Sequence, residues 1–294
     1  MNLNDLFLMR EIDPRRVIVL RHRPQEPQLR KVLPWLAIEK PEVFNAYQRI
    51  QKPKLEKAIK QMSGSGYVAS FIGHQPGKAL FVGLYSICGA RPVKREEYWK
   101  IPENEELKAF GMEGFSTEDP RETILWLELE LTDFCASWKG RLIIEWPPPE
   151  VSWWRRAHKN TIPIFAISEE SLLVPPMPDW NSLILAWKEL EILPSLWRVV
   201  LSQWRGIYYL FDVSIGKGYV GSAYGEENLY GRWLSYAQSG HGGNKLLKRL
   251  DPNNFRFSIL QRVSPDMSAE EIIRLESAWK ERLHTKYPYG LNDN

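Results

Sequence analysis

The chain has 294 residues, of which 44% are hydrophobic and 26% charged, and it carries a formal net charge of +3. That length accommodates two domains of common size, and that balance of residues excludes a largely disordered chain. No run of eighteen apolar residues predicts a membrane span, Met1–Arg10 lacks the pattern of a secretory signal, and two distant cysteines, Cys88 and Cys135, fit no metal spacing; a reducing, cytoplasmic setting is expected.

In chain order, residues 16–20 predict a strand and 41–62 a basic helix interrupted at Pro53. Residues 66–72 and 78–87 predict two strands around the turn-like His74-Gln75-Pro76-Gly77. Residues 124–131 alternate as a half-buried strand does, and 141–146 and 162–167 predict two more. Short strands separated by turns point to a mixed, strand-rich N-terminal domain over 1–178, curved or barrel-like, with one or two helices. Residues 1–60 hold thirteen Lys/Arg against seven Asp/Glu, whereas 101–150 hold four against twelve. The first segment suits phosphates and the second would avoid them, although both patterns are also those of ordinary solvated faces.

Apolar residues at helical spacing over 179–190 and a short helix at 195–203 predict a helical connector, 179–203, packed against both parts. A hairpin follows, with strands 206–213 and 218–223. A helix is expected at 227–238, then a glycine-rich loop, a short basic helix at 244–250 and a strand at 255–261. Ser268 and Glu271 form a capping-box signature for a last helix to about residue 284. The fold class is therefore α+β, with a C-terminal domain over 204–294 built on a small antiparallel sheet flanked by helices.

Several residues of that domain have chemistry in reach. Glu276 shares a helix face with Ile272, Trp279 and Leu283. A carboxylate in an apolar stripe is either one half of a satisfied ion pair or a hard-oxygen metal ligand. Arg232 and Tyr236 project together from one helix, suited to gripping phosphate oxygens or to plain surface packing. Tyr208 and Tyr219 lie on the hairpin. A tyrosine is a poor base near its ordinary pKa of about 10 unless positive charge, such as Arg232, Lys217 or a metal, stands beside it.

Gly206-Ile207-Tyr208 and Tyr219-Val220-Gly221, followed by Arg232, Glu276 and Asn292, resemble the GIY-YIG nuclease family over about residues 204–294. The resemblance implies hydrolysis of a DNA phosphodiester with one Mg²⁺ or Mn²⁺ held by Glu276. It implies that Tyr208 helps deprotonate or position the attacking water, and that Tyr219 supports the water or the phosphate. Arg232 would stabilise the developing charge, and Asn292 would fix the C-terminal segment. Tyr236 stands where many members carry a histidine, a variant that also occurs in members resembling the repair incision subunit. The direction of Tyr208 is assumed, since Tyr209 follows it. His241 either touches phosphate or belongs to a turn capped by Asn244.

The family's catalytic domains have little base specificity of their own, so the N-terminal domain is expected to choose the DNA. Trp153-Trp154-Arg155-Arg156 places rings beside guanidinium groups, a patch for DNA or a flipped, modified base; the same tryptophans would equally plug an interface. Basic residues over 49–60 and Arg15, Arg16, Arg21 and Arg23 would add phosphate contacts. The resemblance implies a restriction or phage-defence endonuclease acting on DNA; one active site cuts one strand, so a double-strand break takes either two protomers, a homodimer on DNA, or two successive cuts. A repair or mobile-element nuclease and a catalytically silent DNA-binding protein are the alternatives.

Overall fold

The structure, a computed structural model, describes residues 1–62 and 66–293. At a proline-rich stretch the chain divides into two units, Met1–Pro175 and Pro176–Asn294. The first contains α1 (Leu3–Met9), β1 (Val17–His22), α2 (Pro27–Glu39), α3 (Pro41–Arg49), α4 (Pro53–Lys60), β2 (Tyr67–Gly73) and β3 (Lys78–Lys94). It continues with α5 (Arg95–Tyr98), α6 (Pro102–Ala109), β4 (Thr123–Leu131), β5 (Leu142–Glu145), β6 (Trp154–Arg156) and β7 (Ile164–Ile167). The strands form one sheet in the order β6-β1-β2-β3-β5-β7, with β4 paired to the far stretch of β3.

β1 is buried at all six positions, as suits a strand that pairs in parallel with β2 on one side. β3 changes partners along its length, from β5 at Lys78–Leu80 to β4 at Tyr85–Lys94, and a bulge near Ile87 and Gly89 accompanies the bend. The outer strands β6 and β7 do not pair with each other among the described residues, so the expected barrel is an open, curled half-barrel. Phe7, Phe71, Phe81, Phe134 and Trp146 fill its core. The unit is richer in helix than its sequence predicts. The proline-opened α2 was not expected, and the single basic helix is the pair α3 and α4, each begun by a proline that needs no N–H donor there.

The second unit contains β8 (Ile184–Ala186), α7 (Ser195–Gln203), β9 (Arg205–Asp212), β10 (Lys217–Ala223), α8 (Asn228–Ser239), β11 (Phe255–Val263) and α9 (Ala269–Arg282). Its sheet runs β10-β9-β11-β8, antiparallel throughout. Residues 179–190 are therefore not the expected connector helix. Leu183 and Leu185 alternate into the core, and Ile184–Ala186 pair with Ser258–Arg256 of β11. The short basic helix expected over 244–250 is a single 3-10 turn, Leu247–Arg249, with Asn244 Oδ1 accepting from the Leu246 and Leu247 amides.

One sheet face carries Tyr208, Leu210, Phe257 and Ile259 against Trp233 and Tyr236 of α8. The other carries Ile207 and Val220 against Ile272 of α9. α9 ends at Arg282, leaving Leu283 exposed beyond its expected stripe. Two helices thus cover opposite faces of one hairpin, and its outer strand β10 is where their polar edges meet.

Candidate active site

β10 is an edge strand, and an unpaired edge invites unwanted pairing. The C-terminal segment covers part of it. Leu291 N donates to Gly218 O at 2.9 Å. Asn292 completes the cover with its side-chain amide: Oδ1 accepts from Val220 N at 2.9 Å and Nδ2 donates to Val220 O at 2.8 Å. Asn292 is buried, so this two-bond clasp is shielded from water. Beyond Val220 the edge opens onto a cleft of about 490 Å³ whose lining includes Tyr219, Ser222, Arg232, Ser235 and Glu276.

The hairpin register explains how the tyrosines meet. Tyr208 is paired with Gly221, which puts Tyr219 diagonally across from it on the same face, with ring centroids 6.3 Å apart. A Cβ at position 221 would collide with the Tyr208 hydroxyl and the Tyr219 ring, so glycine is required there. Tyr209 points to the opposite face, against the α9 side. Tyr208 is 0% exposed and does not line the cleft, whereas Tyr219 does.

Behind the cleft wall three side chains form one hydrogen-bonded unit. Arg232 Nε donates to Tyr208 Oη at 3.0 Å, and the hydroxyls of Tyr208 and Tyr236 lie 3.0 Å apart. The Arg232 guanidinium also sits over the Tyr236 ring, 5.1 Å from its centroid, because the two residues are one helical turn apart. Burial pushes the Tyr208 and Tyr236 phenols well above the ordinary range, Tyr219 beside them adds to this, and Arg232 only partly opposes it. Burial works against the Arg232 charge, but the oxygens of Tyr208 and Tyr236 outweigh it and keep the guanidinium protonated. With Nε occupied, the terminal nitrogens are the part of the fork left for an anion.

Glu276 is 17% exposed and both of its oxygens are occupied: Lys280 Nζ lies 2.8 Å from Oε1, and Ser222 Oγ donates to Oε2. The ion-pair reading of the sequence is therefore met, yet the carboxylate also faces the cleft. Lys280 was not anticipated, although its spacing four residues after Glu276 on a helix was visible. Its buried position makes it the charge partner of the one carboxylate in the apolar stripe. Among the described residues no cluster of three or more His, Cys, Asp or Glu side chains is arranged for a metal. The donor set is thus a single hard oxygen ligand, which fits a Mg²⁺-like ion that keeps most of its water and takes the rest of its shell from phosphate.

The other predicted contact residues stand elsewhere. Lys217 Nζ donates to Pro288 O at 2.6 Å and so ties down the C-terminal segment. His241 Nδ1 accepts from Gly243 N at 2.9 Å within its own turn. In the first unit, Arg155 is 8% exposed and donates to the carbonyls of Pro147, Pro149 and Trp154, so it is a buried strut and not a phosphate contact. Arg156 donates to Gln61 Oε1 at 2.9 Å. Trp154 lies on β6 facing Leu20 of β1 in the ladder, and Trp153 lines a separate cleft in that unit. Arg21, expected among the phosphate contacts, is buried.

No family model matches the chain, and no curated protein matches it. Among solved structures, the catalytic domain of homing endonuclease I-TevI is similar at 29% identity, over 31% of this chain and 98% of that one, with a TM-score of 0.26. At that score the likeness carries no structural inference. No helix among the described residues is long and apolar enough to cross a membrane.

Proposed function

We propose that the second unit is a metal-dependent DNA endonuclease site of the GIY-YIG type. The observation that carries this reading is the convergence of Tyr219, Arg232 and Glu276, from a strand and two helices, on one cleft, with Tyr208 and Asn292 bonded behind them. A phosphodiester in that cleft meets the terminal nitrogens of Arg232, which bind its non-bridging oxygens and stabilise the charge that grows on them. Tyr219 presents its hydroxyl to the attacking water or the phosphate. Tyr208 keeps its proton at neutral pH, because it is buried, and acts by aiming Arg232 instead of removing a proton from water. Glu276 would hold Mg²⁺ (or Mn²⁺), and that ion supplies further charge neutralisation at the phosphate. Ser222 and Lys280 orient the carboxylate, and Asn292 holds the edge strand that carries Tyr219.

On this reading the first unit selects the DNA, and the whole protein is a restriction or phage-defence enzyme acting as a homodimer. Its support is the basic 1–60 segment and the presence in that unit of a cleft of its own. The test is plasmid nicking, on unmodified and base-modified DNA, with Mg²⁺ or Mn²⁺ and with chelator. Metal-dependent nicks that vanish in Glu276→Ala are expected. Failure to nick any substrate, or equal nicking by the variant, overturns the proposal.

A further inference from the structure

The first unit contains a cleft of about 620 Å³, within the range of roughly 300–1,000 Å³ typical of small-molecule sites. It lies at the carboxyl end of β1, whose last two residues, Arg21 and His22, are part of its lining. Its lining comes from segments distant in the chain and includes Arg21, His22, Tyr47, Gln51, Phe115 and Trp153.

Two of these side chains set the cleft apart. Arg21 is 2% and His22 5% exposed, and Arg21 Nε and His22 Nε2 have no hydrogen-bond partner. Buried polar atoms are nearly always paired, since leaving one unmet costs about 1–3 kcal/mol. The two nitrogens belong to successive residues at the end of β1 and stand on opposite faces of the strand, Arg21 over Trp146 and His22 against Phe44 and Tyr47, so a ligand that completes both must enter at the strand's end. The rest of each side chain is held in place. The Arg21 guanidinium donates to Glu150 O, pairs with Glu150 Oε2 at 3.7 Å and sits 4.9 Å from the centre of the Trp146 ring. The His22 ring packs edge-on against Phe44 and Tyr47 at 5.5 and 5.3 Å.

The charge balance narrows the ligand. Glu150 offsets Arg21, and burial lowers the His22 pKa to about 4, so its imidazole is neutral near pH 7. The Asp119 carboxylate is occupied by Arg121. The deepest part is thus close to neutral and offers directed hydrogen bonds beside aromatic rings, which suits a flat, neutral, polar heterocycle better than a phosphate. Among the remaining lining, the cations Arg23, Arg30 and Lys52 outnumber the carboxylates Glu26 and Glu113. A strand of nucleic acid has this division of chemistry, with a neutral base on a charged backbone.

We propose that this cleft receives a single nucleobase extruded from DNA, its edge read by Arg21 Nε and His22 Nε2 and its face stacked by rings that include Trp153. Arg21 can only donate, so the base must present an acceptor, such as a pyrimidine carbonyl or a purine O6 or N7. Extruding a base costs a few kcal/mol, least at a weakened or altered pair, so such a cleft converts a base's identity into target choice. The proposal rests on the reading of the protein as a DNA nuclease and extends it to the other unit.

The test uses the full chain in chelator, so that binding is separated from cutting. The probes are 20-base-pair duplexes differing at one central position: the four ordinary bases, 5-methylcytosine, 5-hydroxymethylcytosine, N6-methyladenine or an abasic site. Affinity is read by fluorescence anisotropy, with 2-aminopurine next to the position to report unstacking. At least one base should bind tenfold or more tightly than the abasic duplex and brighten 2-aminopurine. His22→Phe, which keeps the ring packing, should abolish that preference, and Trp153→Ala, at a half-buried position outside the core, should reduce it at least fivefold. Trp153→Ala decides the outcome if His22→Phe does not fold.

Equal affinity across the panel within twofold, or a preference untouched in the folded variants, overturns the proposal. So does competition by free nucleosides without any dependence on the central base, which would make the cleft a nucleoside site. A base preference in a protein that never nicks DNA would leave this site standing and overturn only the nuclease reading.

Discussion

The two clefts differ in how far their polar groups are satisfied before anything binds. In the second unit most of the proposed actors already have a hydrogen-bond or ion-pair partner: Arg232 on Tyr208, Tyr208 on Tyr236, Glu276 on Ser222 and Lys280, and Asn292 on Val220. In the first unit the deepest nitrogens, Arg21 Nε and His22 Nε2, are unpaired. A site that must hold reacting groups within a fraction of an ångström gains from bonds made in advance. A site that must tell one ligand from another gains from buried groups that only the right ligand completes, because the wrong one leaves them unmet. Under the proposed function the contrast is a division of labour, with fixed chemistry in one unit and selection in the other.

The largest effect that would break this division is at Glu276. Glu276→Gln keeps the side chain's size but removes the charge that Lys280 faces and the hard anionic oxygen for a metal. Metal-dependent plasmid nicking should fall about 10³-fold, on the order of 4 kcal/mol of barrier, while binding to the duplex panel in chelator stays within twofold. If base preference fell with nicking, the two clefts would not be separate.

Next in size is acid stability of the first unit. The His22 imidazole binds a proton near pH 6.5 when unfolded but only near pH 4 when folded, because burial opposes its charge. Stability that is complete above pH 6.5 is therefore lost as pH falls toward 4, and this residue alone accounts for about 3 kcal/mol. Denaturant melts at pH 7 and pH 4.5 should show that loss shrink in His22→Phe. An unchanged pH dependence in the variant would mean that the imidazole is not buried as described.

Much of the second unit was legible because its signals are local. The hairpin has two strands and a short turn, Arg232 and Tyr236 are one helical turn apart, and Ser268 with Glu271 does form the capping box. Where the reading failed, two periods competed. Leu183, Trp187 and Leu190 satisfy a helix, but Leu183 and Leu185 satisfy a strand, and pairing with β11 decided between them. The partner of Glu276 stands at i+4 in the sequence, but that spacing does not show that the lysine is buried, and lysine seldom is. The cleft of the first unit left no such trace. His22, Tyr47, Phe115 and Trp153 are separated by up to 68 residues in sequence from one to the next, and only the fold of the sheet and its loops brings them around one space. The Trp153-Trp154-Arg155-Arg156 run looked like a uniform patch, but its members part in the fold: Arg155 on β6 is buried on backbone carbonyls, whereas Trp153, just before that strand, lines the cleft.

A smaller effect tests whether Arg232 acts through its planar fork. Arg232→Lys keeps the positive charge but loses both the Nε bond to Tyr208 and the paired terminal donors. Nicking should fall about 10²-fold, with thermal stability lowered by no more than about 1.5–3 kcal/mol, the range of one lost hydrogen bond to a charged group. Activity retained within threefold would mean that simple charge suffices and that the tyrosine network is a packing device.

The smallest effect separates aiming from proton transfer. Tyr208→Phe removes one hydroxyl that Arg232 and Tyr236 share, and the ring remains to fill the core against Trp233. If Tyr208 only orients Arg232, nicking should drop about tenfold, comparable to the loss of one buried hydrogen bond, and the slope of rate against pH should match that of the parent. Were Tyr208 the base, its ionised fraction would set the rate. Because burial raises its pKa above the ordinary tyrosine range, the parent's rate would then climb tenfold per pH unit through pH 7 to 9, and the variant would lose that climb together with most of its activity. Tyr219→Phe is the matched control, since Tyr219 lines the cleft and makes no hydrogen bond to Arg232. A pH slope lost in Tyr208→Phe but kept in Tyr219→Phe would return the proton transfer to the buried tyrosine, and would require substrate or metal to bring positive charge to a phenol that is shielded from water in the free protein.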